Sequence, residues 1–225
     1  KLRYVLKIPV PQSSAQSFGT SVHTALRDFY QIWVRGEKPK IKDIVKILEK
    51  NWINEGYLSK AHEKKAFEKA KNITISYLKT NFNYRNLPIA LELPFQFPLR
   101  NLKIGGRIDR IDRIDSKTIE ILDYKTGRNV LDEKQIEKDL QLTFYALAAT
   151  EVHDKILSKK PEEVRLSLYY LEEGKKLTTT RTKEQLEAAK EEILKKAKEI
   201  SESDFACSGS SLCLKCEYKM LCGGT

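Results

Sequence analysis

The sequence has no cysteine before position 207, and its four cysteines all lie between Cys207 and Cys222. This excludes a disulfide framework spread over the fold and favours one cysteine site in a reducing, cytoplasmic protein. No run of about 18 or more apolar residues exists, so an ordinary transmembrane helix is not expected. No signal peptide is visible either. The opening KLRYVLKIPVP, which starts with lysine, is typical of a trimmed chain or an excised domain.

Positive charge, in contrast, is abundant. The 225 residues carry a formal net charge of +10, and 32% of them are charged. Such an excess favours a polyanionic partner, with nucleic acid as the first candidate, although lysine-rich helices that only keep a protein soluble give the same excess. With 40% hydrophobic residues, the chain is long enough for a substantial core in one large domain or two small ones.

The hydrophobic pattern changes from helical to extended and back along the chain. Helical spacing predicts helices at 14–36, 40–53 and 59–81, and extended runs predict antiparallel strands at 87–99, 103–114 and 118–125. A helix at 130–153, a strand pair at 163–171 and 175–182, and an amphipathic helix at 183–201 follow. The pattern predicts an α/β unit whose helices flank a central sheet, with a small cysteine-rich appendage.

The stretch GGRIDRIDRIDSKTIEILDYKTG places charged residues at the end of an apolar strand. Because a strand alternates its faces, Asp123 and Lys125 point the same way and Tyr124 points the opposite way. The preceding residues are apolar on both faces, which is typical of a central strand covered on each side. A carboxylate and an ammonium group are costly there unless they are paired or bound to a metal ion.

The register of this hairpin depends on its loop. A three-residue loop at 115–117 pairs Ile114 with Thr118 and places Asp109 directly opposite Asp123, whereas a two-residue loop breaks this match. Directly opposite Cβ atoms lie roughly 4.5–5.5 Å apart, close enough for two carboxylates to share Mg²⁺ or Mn²⁺. Lys125 can then stabilise negative charge that develops on a phosphate. An ordinary surface salt bridge between Asp123 and Lys125 explains these two residues equally well.

Taken in order, the motifs GRID, LDYKTG and QLTFYA resemble the RecB-like branch of the PD-(D/E)XK nuclease superfamily. This branch includes the nuclease domains of RecB- and AddB-type helicase-nucleases and the CRISPR-associated RecB-like exonucleases. The segment FGTSVHTAL matches the Gly-x-x-x-His helix of the family, and CLKCEYKMLC matches its iron–sulfur tail. The resemblance therefore covers nearly the whole chain.

The resemblance implies a restriction-endonuclease-like core at 1–205 with a helical insertion at about 37–82, followed by a cysteine-rich tail at 206–225. It implies a Mg²⁺- or Mn²⁺-dependent deoxyribonuclease in which metal-activated water hydrolyses phosphodiester bonds. An exonuclease acting on single-stranded ends, attached to a helicase in DNA repair or recombination, is expected. The implied site residues are Asp109, Asp123, His23 and the Tyr124 carbonyl as metal ligands, Lys125 as the catalytic lysine, Gln141 and Tyr145 as a bordering motif, and Glu92 as a weaker candidate.

The tail cysteines Cys207, Cys213, Cys216 and Cys222 follow the spacing C-x₅-C-x₂-C-x₅-C. Four thiolates fit either tetrahedral zinc or a [4Fe–4S] cluster, and the resemblance favours the cluster. The relatives take one ligand from a cysteine near the start of the domain, which this sequence lacks. Either Cys207 replaces that ligand or the chain is cut after it. Two other functions stay open: a DNA-binding module that does not cleave, and a zinc-ribbon interaction protein.

Overall fold

The structure is a computed structural model that describes residues 2–205, 211, 213 and 216–221. Three helices come first: α1 (Ser14–Val34), α2 (Asp43–Asn51) and α3 (Lys60–Asn81). Three strands follow: β1 (Pro88–Leu99), β2 (Leu102–Arg113) and β3 (Ile119–Lys125). The rest comprises α4 (Glu133–Glu137), α5 (Leu140–Glu151), β4 (Val164–Tyr170), β5 (Lys175–Thr179) and α6 (Lys183–Glu202), with short 3-10 helices at Pro161–Glu163 and Lys219–Leu221.

The five strands form one mixed sheet in the order β1-β2-β3-β4-β5. Neighbouring strands are antiparallel except β3 and β4, which are parallel. A parallel pair needs a long crossover, and here α4 and α5 provide it. The predicted α/β fold with a mixed central sheet is confirmed. The division into a nuclease domain at 1–205 and a tail at 206–225 stays a prediction.

Each face of the sheet is covered by its own helices. Ile119 and Ile121 of β3 belong to one hydrophobic cluster, together with residues of α5 and α6. Leu122 and Tyr124 of the same strand belong to a second cluster, formed with α1, α2 and α3. The prediction of a central strand with two apolar faces is therefore confirmed. No helix in the described part of the chain is both long and apolar enough to cross a membrane.

The hairpin of β2 and β3 has the register that the three-residue loop predicts. The amide of Ile114 donates to the carbonyl of Thr118 over 3.0 Å, and Asp112 lies opposite Glu120. The turn is held by the carboxylate of Asp115, which accepts from the amides of Lys117 and Thr118 at 2.8 Å each. This register fixes which aspartates face each other at the far end of the hairpin.

The predicted single helix at 130–153 is wrong, because the chain forms two helices there. The carboxylate of Asp139 caps the second helix by accepting from the amide of Leu142 over 2.8 Å. The buried guanidinium of Arg181 donates to the carbonyls of Ile136 and Asp139, over 3.0 and 3.2 Å. Arg181 thus ties the carbonyl at the end of the first helix to the carbonyl at the start of the second.

Candidate active site

Three acidic residues lie side by side across the sheet. The last pair of the β2–β3 ladder is Arg110 and Leu122, so the next residues, Asp109 and Asp123, face each other just beyond it. In the β1–β2 ladder, Glu92 lies between the residues that pair with Arg110 and Ile108, and so it stands beside Asp109. The amide of Tyr124 donates to Oδ2 of Asp109 over 3.0 Å, which ties this end of the hairpin together.

Glu92 has an unusual backbone conformation. Its φ angle is +49°, in the left-handed region, and among the described residues it is the only non-glycine residue inside a strand with such an angle. This conformation costs roughly 1–3 kcal/mol and persists only where surrounding structure enforces it. The strained residue is one of the three acids, so strain and charge coincide at this point of the sheet.

Helix α1, near the start of the chain, places His23 beside Asp109. Nδ1 of His23 lies 3.2 Å from Oδ2 of Asp109, and the imidazole packs edge-on against the Tyr124 ring at 5.8 Å. One turn earlier, a Cβ on Gly19 would lie 3.4 Å from Oγ1 of Thr126, so glycine lets α1 approach the loop after β3 closely. Ligand atoms of His23, Glu92 and Asp109 all lie within 4.8 Å of one another.

Asp123 is held by a second group of residues. Nζ of Lys125 lies 2.7 Å from Oδ2 of Asp123 and donates to Oε1 of Gln141 over 2.5 Å. The amide nitrogen of Gln141 donates to Oδ1 of Asp123 over 2.7 Å, and the Tyr145 hydroxyl donates to the same oxygen over 3.1 Å. Gln141 and Tyr145 lie on one face of α5, as their spacing predicts.

The negative charges of the site are packed closely and partly buried. Burial raises the pKa of Asp123, and the charge of Asp109 raises it further, whereas Lys125 lowers it. Burial and the charge of Asp109 likewise raise the pKa of Glu92. For His23, burial lowers the pKa, but the hydrogen bond and charge of Asp109 outweigh it, so the pKa is raised. A bound cation would relieve this repulsion.

The donor set fits a divalent metal ion. Carboxylate oxygens are the ligands that suit Mg²⁺ and Mn²⁺, and an imidazole nitrogen is a ligand typical of transition-metal ions. Oδ2 of Asp123 is buried and has no well-directed hydrogen bond, although Lys125 lies near it as an ion-pair partner. The backbone amide of Tyr124 contacts Asp109 in the site, whereas the Tyr124 hydroxyl lies 3.1 Å from the hydroxyl of Tyr77. A role for its carbonyl as a metal ligand stays a prediction.

The cysteine tail is described only in part. Cys213 is half-buried and Cys216 is exposed, both with free thiols, and the amide of Cys216 donates to the Cys213 carbonyl over 3.2 Å. The predicted ligands Cys207 and Cys222 lie outside the described residues. The predicted four-cysteine site therefore stays a prediction.

The sequence matches the model of the PD-(D/E)XK nuclease superfamily over residues 1–223. The chain belongs to this superfamily. Asp123 and Lys125, which form the 2.7 Å ion pair, have the acidic-x-Lys pattern in the name of this superfamily, and their assignment to its motif stays a prediction. Membership implies a nuclease that depends on divalent metal ions, and the site described above has donors that suit them.

Solved structures resemble the chain over most of its length. SSO0001 is 16% identical, with 92% of this chain and 84% of that chain covered and a TM-score of 0.41. A protein from Eubacterium rectale, described as a candidate exonuclease, is 12% identical, with 94% of this chain and 99% of that chain covered and a TM-score of 0.45. No curated protein matches the sequence at a significant level.

Proposed function

We propose that the chain is a RecB-like exonuclease domain that hydrolyses DNA from single-stranded ends with Mg²⁺ or Mn²⁺. The observation that carries this proposal is the arrangement around two facing aspartates. Asp109 shares a cluster with His23 and Glu92, while Asp123 is held by Lys125 and its partners on α5. An ordinary salt bridge between Asp123 and Lys125 needs neither the first cluster nor the strained Glu92.

The metal ligands in this proposal are Asp109, Asp123, His23 and the Tyr124 carbonyl, with Glu92 beside them. These residues would hold a divalent ion, which would supply polarisation of a phosphate oxygen and a lower pKa for a bound water molecule. Lys125 stabilises the negative charge that develops on the phosphate during attack. Gln141 acts as a positioning residue, because its amide contacts both Lys125 and Asp123 and so fixes their relative orientation.

DNA as the substrate is supported by charge and by the family. A chain with a net charge of +10 attracts a polyanion, and contacts to phosphates give binding that is strong and largely independent of sequence. The preference for single strands, the attachment to a helicase and a role in repair or recombination rest on the resemblance to RecB-like enzymes. Each of these three features is a proposal.

The cysteine tail is proposed to bind a [4Fe–4S] cluster, and a zinc ion is the alternative. The proposal rests on the spacing of Cys207, Cys213, Cys216 and Cys222. Purification without oxygen followed by iron, sulfide and zinc analysis separates the two. About four irons per chain with visible absorption support the cluster, one zinc without colour supports a zinc site, and neither metal would contradict both.

The nuclease proposal is tested by cleavage of end-labelled single- and double-stranded DNA with Mg²⁺, Mn²⁺ or EDTA. Asp109→Asn and Lys125→Ala are expected to lose metal-dependent cleavage. Asp115→Asn is the matched control, because Asp115 ends the same Arg-Ile-Asp repeat but lies in the exposed turn, where asparagine can still accept its hydrogen bonds. Release of short products from one end supports an exonuclease, and internal fragments contradict it.

A second readout does not depend on cleavage. Mn²⁺ that binds the folded site raises the unfolding temperature, and this rise is expected to disappear in Asp109→Asn. Protein that binds DNA and Mn²⁺ but does not cleave would contradict an active nuclease and favour a DNA-binding module. A folded protein that binds neither would contradict the proposed site itself.

A further inference from the structure

A pocket of about 430 Å³ lies beside the candidate active site. It is formed by the start of α1, the first half of α3 and residues 126–128, the loop that directly follows Lys125. Its volume is within the range of about 300–1,000 Å³ that small-molecule sites occupy. None of its lining residues belongs to the cluster of His23 and the acids, so the pocket is a separate compartment next to the site.

Aromatic rings line one part of this pocket. Phe18 and Tyr57 face it, and Trp52, which does not line it, stacks on Tyr57 with 5.7 Å between ring centroids and 16° between planes. Trp52 also packs edge-on against Phe18 at 6.4 Å. Gly56 has a φ angle of +78°, and a Cβ there would lie 2.4 Å from the carbonyl oxygen of Gln12. This close contact with the segment before α1 fixes the loop that presents Tyr57.

Three cationic side chains also line the pocket. Lys65 is exposed and makes no ion pair with any residue that the structure describes. Lys69 and Arg128 share the carboxylate of Glu172, at 2.6 and 3.1 Å, so one negative charge faces two positive ones. With Lys65 included, the three cations leave an excess of positive charge beside flat aromatic rings.

We propose that this pocket holds one unpaired nucleobase of the substrate strand, with its ring against Tyr57 and Phe18 and its phosphate near Lys65 and Arg128. This proposal rests on the proposed nuclease function and specifies which part of the substrate the pocket binds. Aromatic rings stack with any base, and lysine and arginine contact the backbone, which is how proteins hold single strands without reading sequence.

The position of the pocket relates the held base to the bond that is cut. Residues 126–128 line the pocket and directly follow Lys125, so the held base lies close along the strand to the bond that is cut. A base that enters the pocket leaves its stack and loses its pairing partner, so the pocket would favour single-stranded ends.

The binding test uses the Asp123→Asn protein, which is expected not to cleave, and single-stranded oligonucleotides with 2-aminopurine at successive positions. The proposal predicts a fluorescence change of about twofold or more at one or two adjacent positions on binding. Tyr57→Ala should abolish this change, whereas Tyr57→Phe, which keeps the stacking ring, should retain it. The same signal at every position, or in Tyr57→Ala, would overturn the proposal.

The charge of the pocket is tested with a neighbouring pair of lysines. Lys65→Gln should weaken binding to single-stranded DNA. The slope of log K against log salt should become shallower by about 0.7, because one phosphate contact to a single strand is lost. Lys64→Gln is the control, because Lys64 is an exposed neighbour on α3 that does not line the pocket. Equal slopes in the two variants would contradict the phosphate contact.

The cleavage test uses the active chain and a strand with one abasic nucleotide. At the position that occupies the pocket, the missing base should lower kcat/KM about tenfold, and the defect should vanish in Tyr57→Ala, which has already lost the stack. The same defect in both proteins would overturn the pocket assignment, provided that the unmodified strand is cleaved. Absence of metal-dependent cleavage of the unmodified strand would instead contradict the nuclease function.

Free mononucleotide distinguishes a strand site from a product site. If dAMP at millimolar concentration abolishes the 2-aminopurine signal and oligonucleotides show no position dependence, the pocket takes a free nucleotide and the proposal is overturned. Persistence of a position-dependent signal with dAMP present supports the strand. Thermal melts of Tyr57→Ala show whether the fold is intact, and Lys65→Gln provides a test that does not touch the aromatic core.

Discussion

At the scale of single residues, Asp123 shows that a buried carboxylate in the site makes the stability of the fold depend on pH. Its side chain is 3% exposed, and burial together with the charge of Asp109 raises its pKa. A group whose pKa is raised by folding stabilises the fold when protonated and loses that contribution as the pH rises through the folded pKa. The contribution of Asp123 to the stability of the metal-free protein is therefore smaller at high pH than at low pH.

Asp123→Asn is consequently expected to stabilise the metal-free protein, because it removes a buried charge while asparagine can still accept from Gln141. A gain of about 1 kcal/mol corresponds to a rise of about 2–4 °C in Tm for a chain of this size. Thermal melts in EDTA measure it, and the variant should have lost both cleavage and the Mn²⁺-dependent rise in Tm. A lower Tm in EDTA would show that the Lys125 ion pair outweighs the cost of burial.

The strained backbone of Glu92 gives a second expectation at this scale. The free energy of unfolding of Glu92→Gly should be about 1 kcal/mol higher than that of Glu92→Ala, since only glycine adopts a positive φ angle without cost. At Gln96, an exposed position of the same strand, the order should be reversed, because glycine weakens a regular strand. Denaturant melts of the four variants test this, and the same order at both positions would contradict strain at Glu92.

The relative positions of several site residues can be predicted from the sequence, because strand alternation and hairpin register follow simple rules. They place Asp109 opposite Asp123 and put Lys125 on the same face as Asp123. Neither rule applies to Tyr57 or Lys65, which reach the pocket from an irregular loop and from α3. The left-handed Glu92 has no sequence signature either, because glycine or asparagine usually marks such positions.

At the scale of elements, the break between α4 and α5 decides where Gln141 and Tyr145 point. Asp139 caps α5 two residues before Gln141, and Arg181 holds the carbonyl ends on either side of the break. Apolar periodicity runs through the break and therefore predicts one helix. The cap is recognisable afterwards as an aspartate that precedes a helical run, but Arg181 acts from a distant part of the chain.

Asp139→Ala should therefore affect stability and activity together. Loss of the cap costs about 1 kcal/mol, and fraying of the first turn of α5 loosens the contacts of Gln141 with Lys125 and Asp123. We expect a fall of about tenfold in kcat with little change in KM. Asp139→Asn is the matched control, because asparagine caps helices as well as aspartate does, and an equal loss in both variants would contradict a capping role.

At the scale of the whole molecule, the net charge of +10 sets how the protein meets a polyanion. Its binding is expected to weaken steeply with salt, with a slope of about −0.7 for each phosphate contact to a single strand. Titrations of the Asp123→Asn protein with labelled single strands at increasing NaCl measure the slope. A slope near zero would mean that the lysine-rich surface serves solubility and makes no phosphate contacts.

The order of the sheet is predictable only in part at this scale. Local turns indicate that β1, β2 and β3 are consecutive antiparallel strands, and the turn at Gly174 indicates the β4–β5 pair. The parallel pairing of β3 with β4 is a long-range contact, so no local pattern specifies it. It depends on the crossover through α4 and α5 and on the apolar residues that these helices bury against the sheet.

The site draws on α1, β1, β2, β3 and α5, which span much of the chain. A polypeptide emerging from the ribosome acquires Lys125 only long after His23, and it acquires Gln141 later still. The acids then come together only once the sheet has closed around them. A partly synthesised or partly unfolded chain therefore lacks the assembled cluster of His23, Glu92 and Asp109.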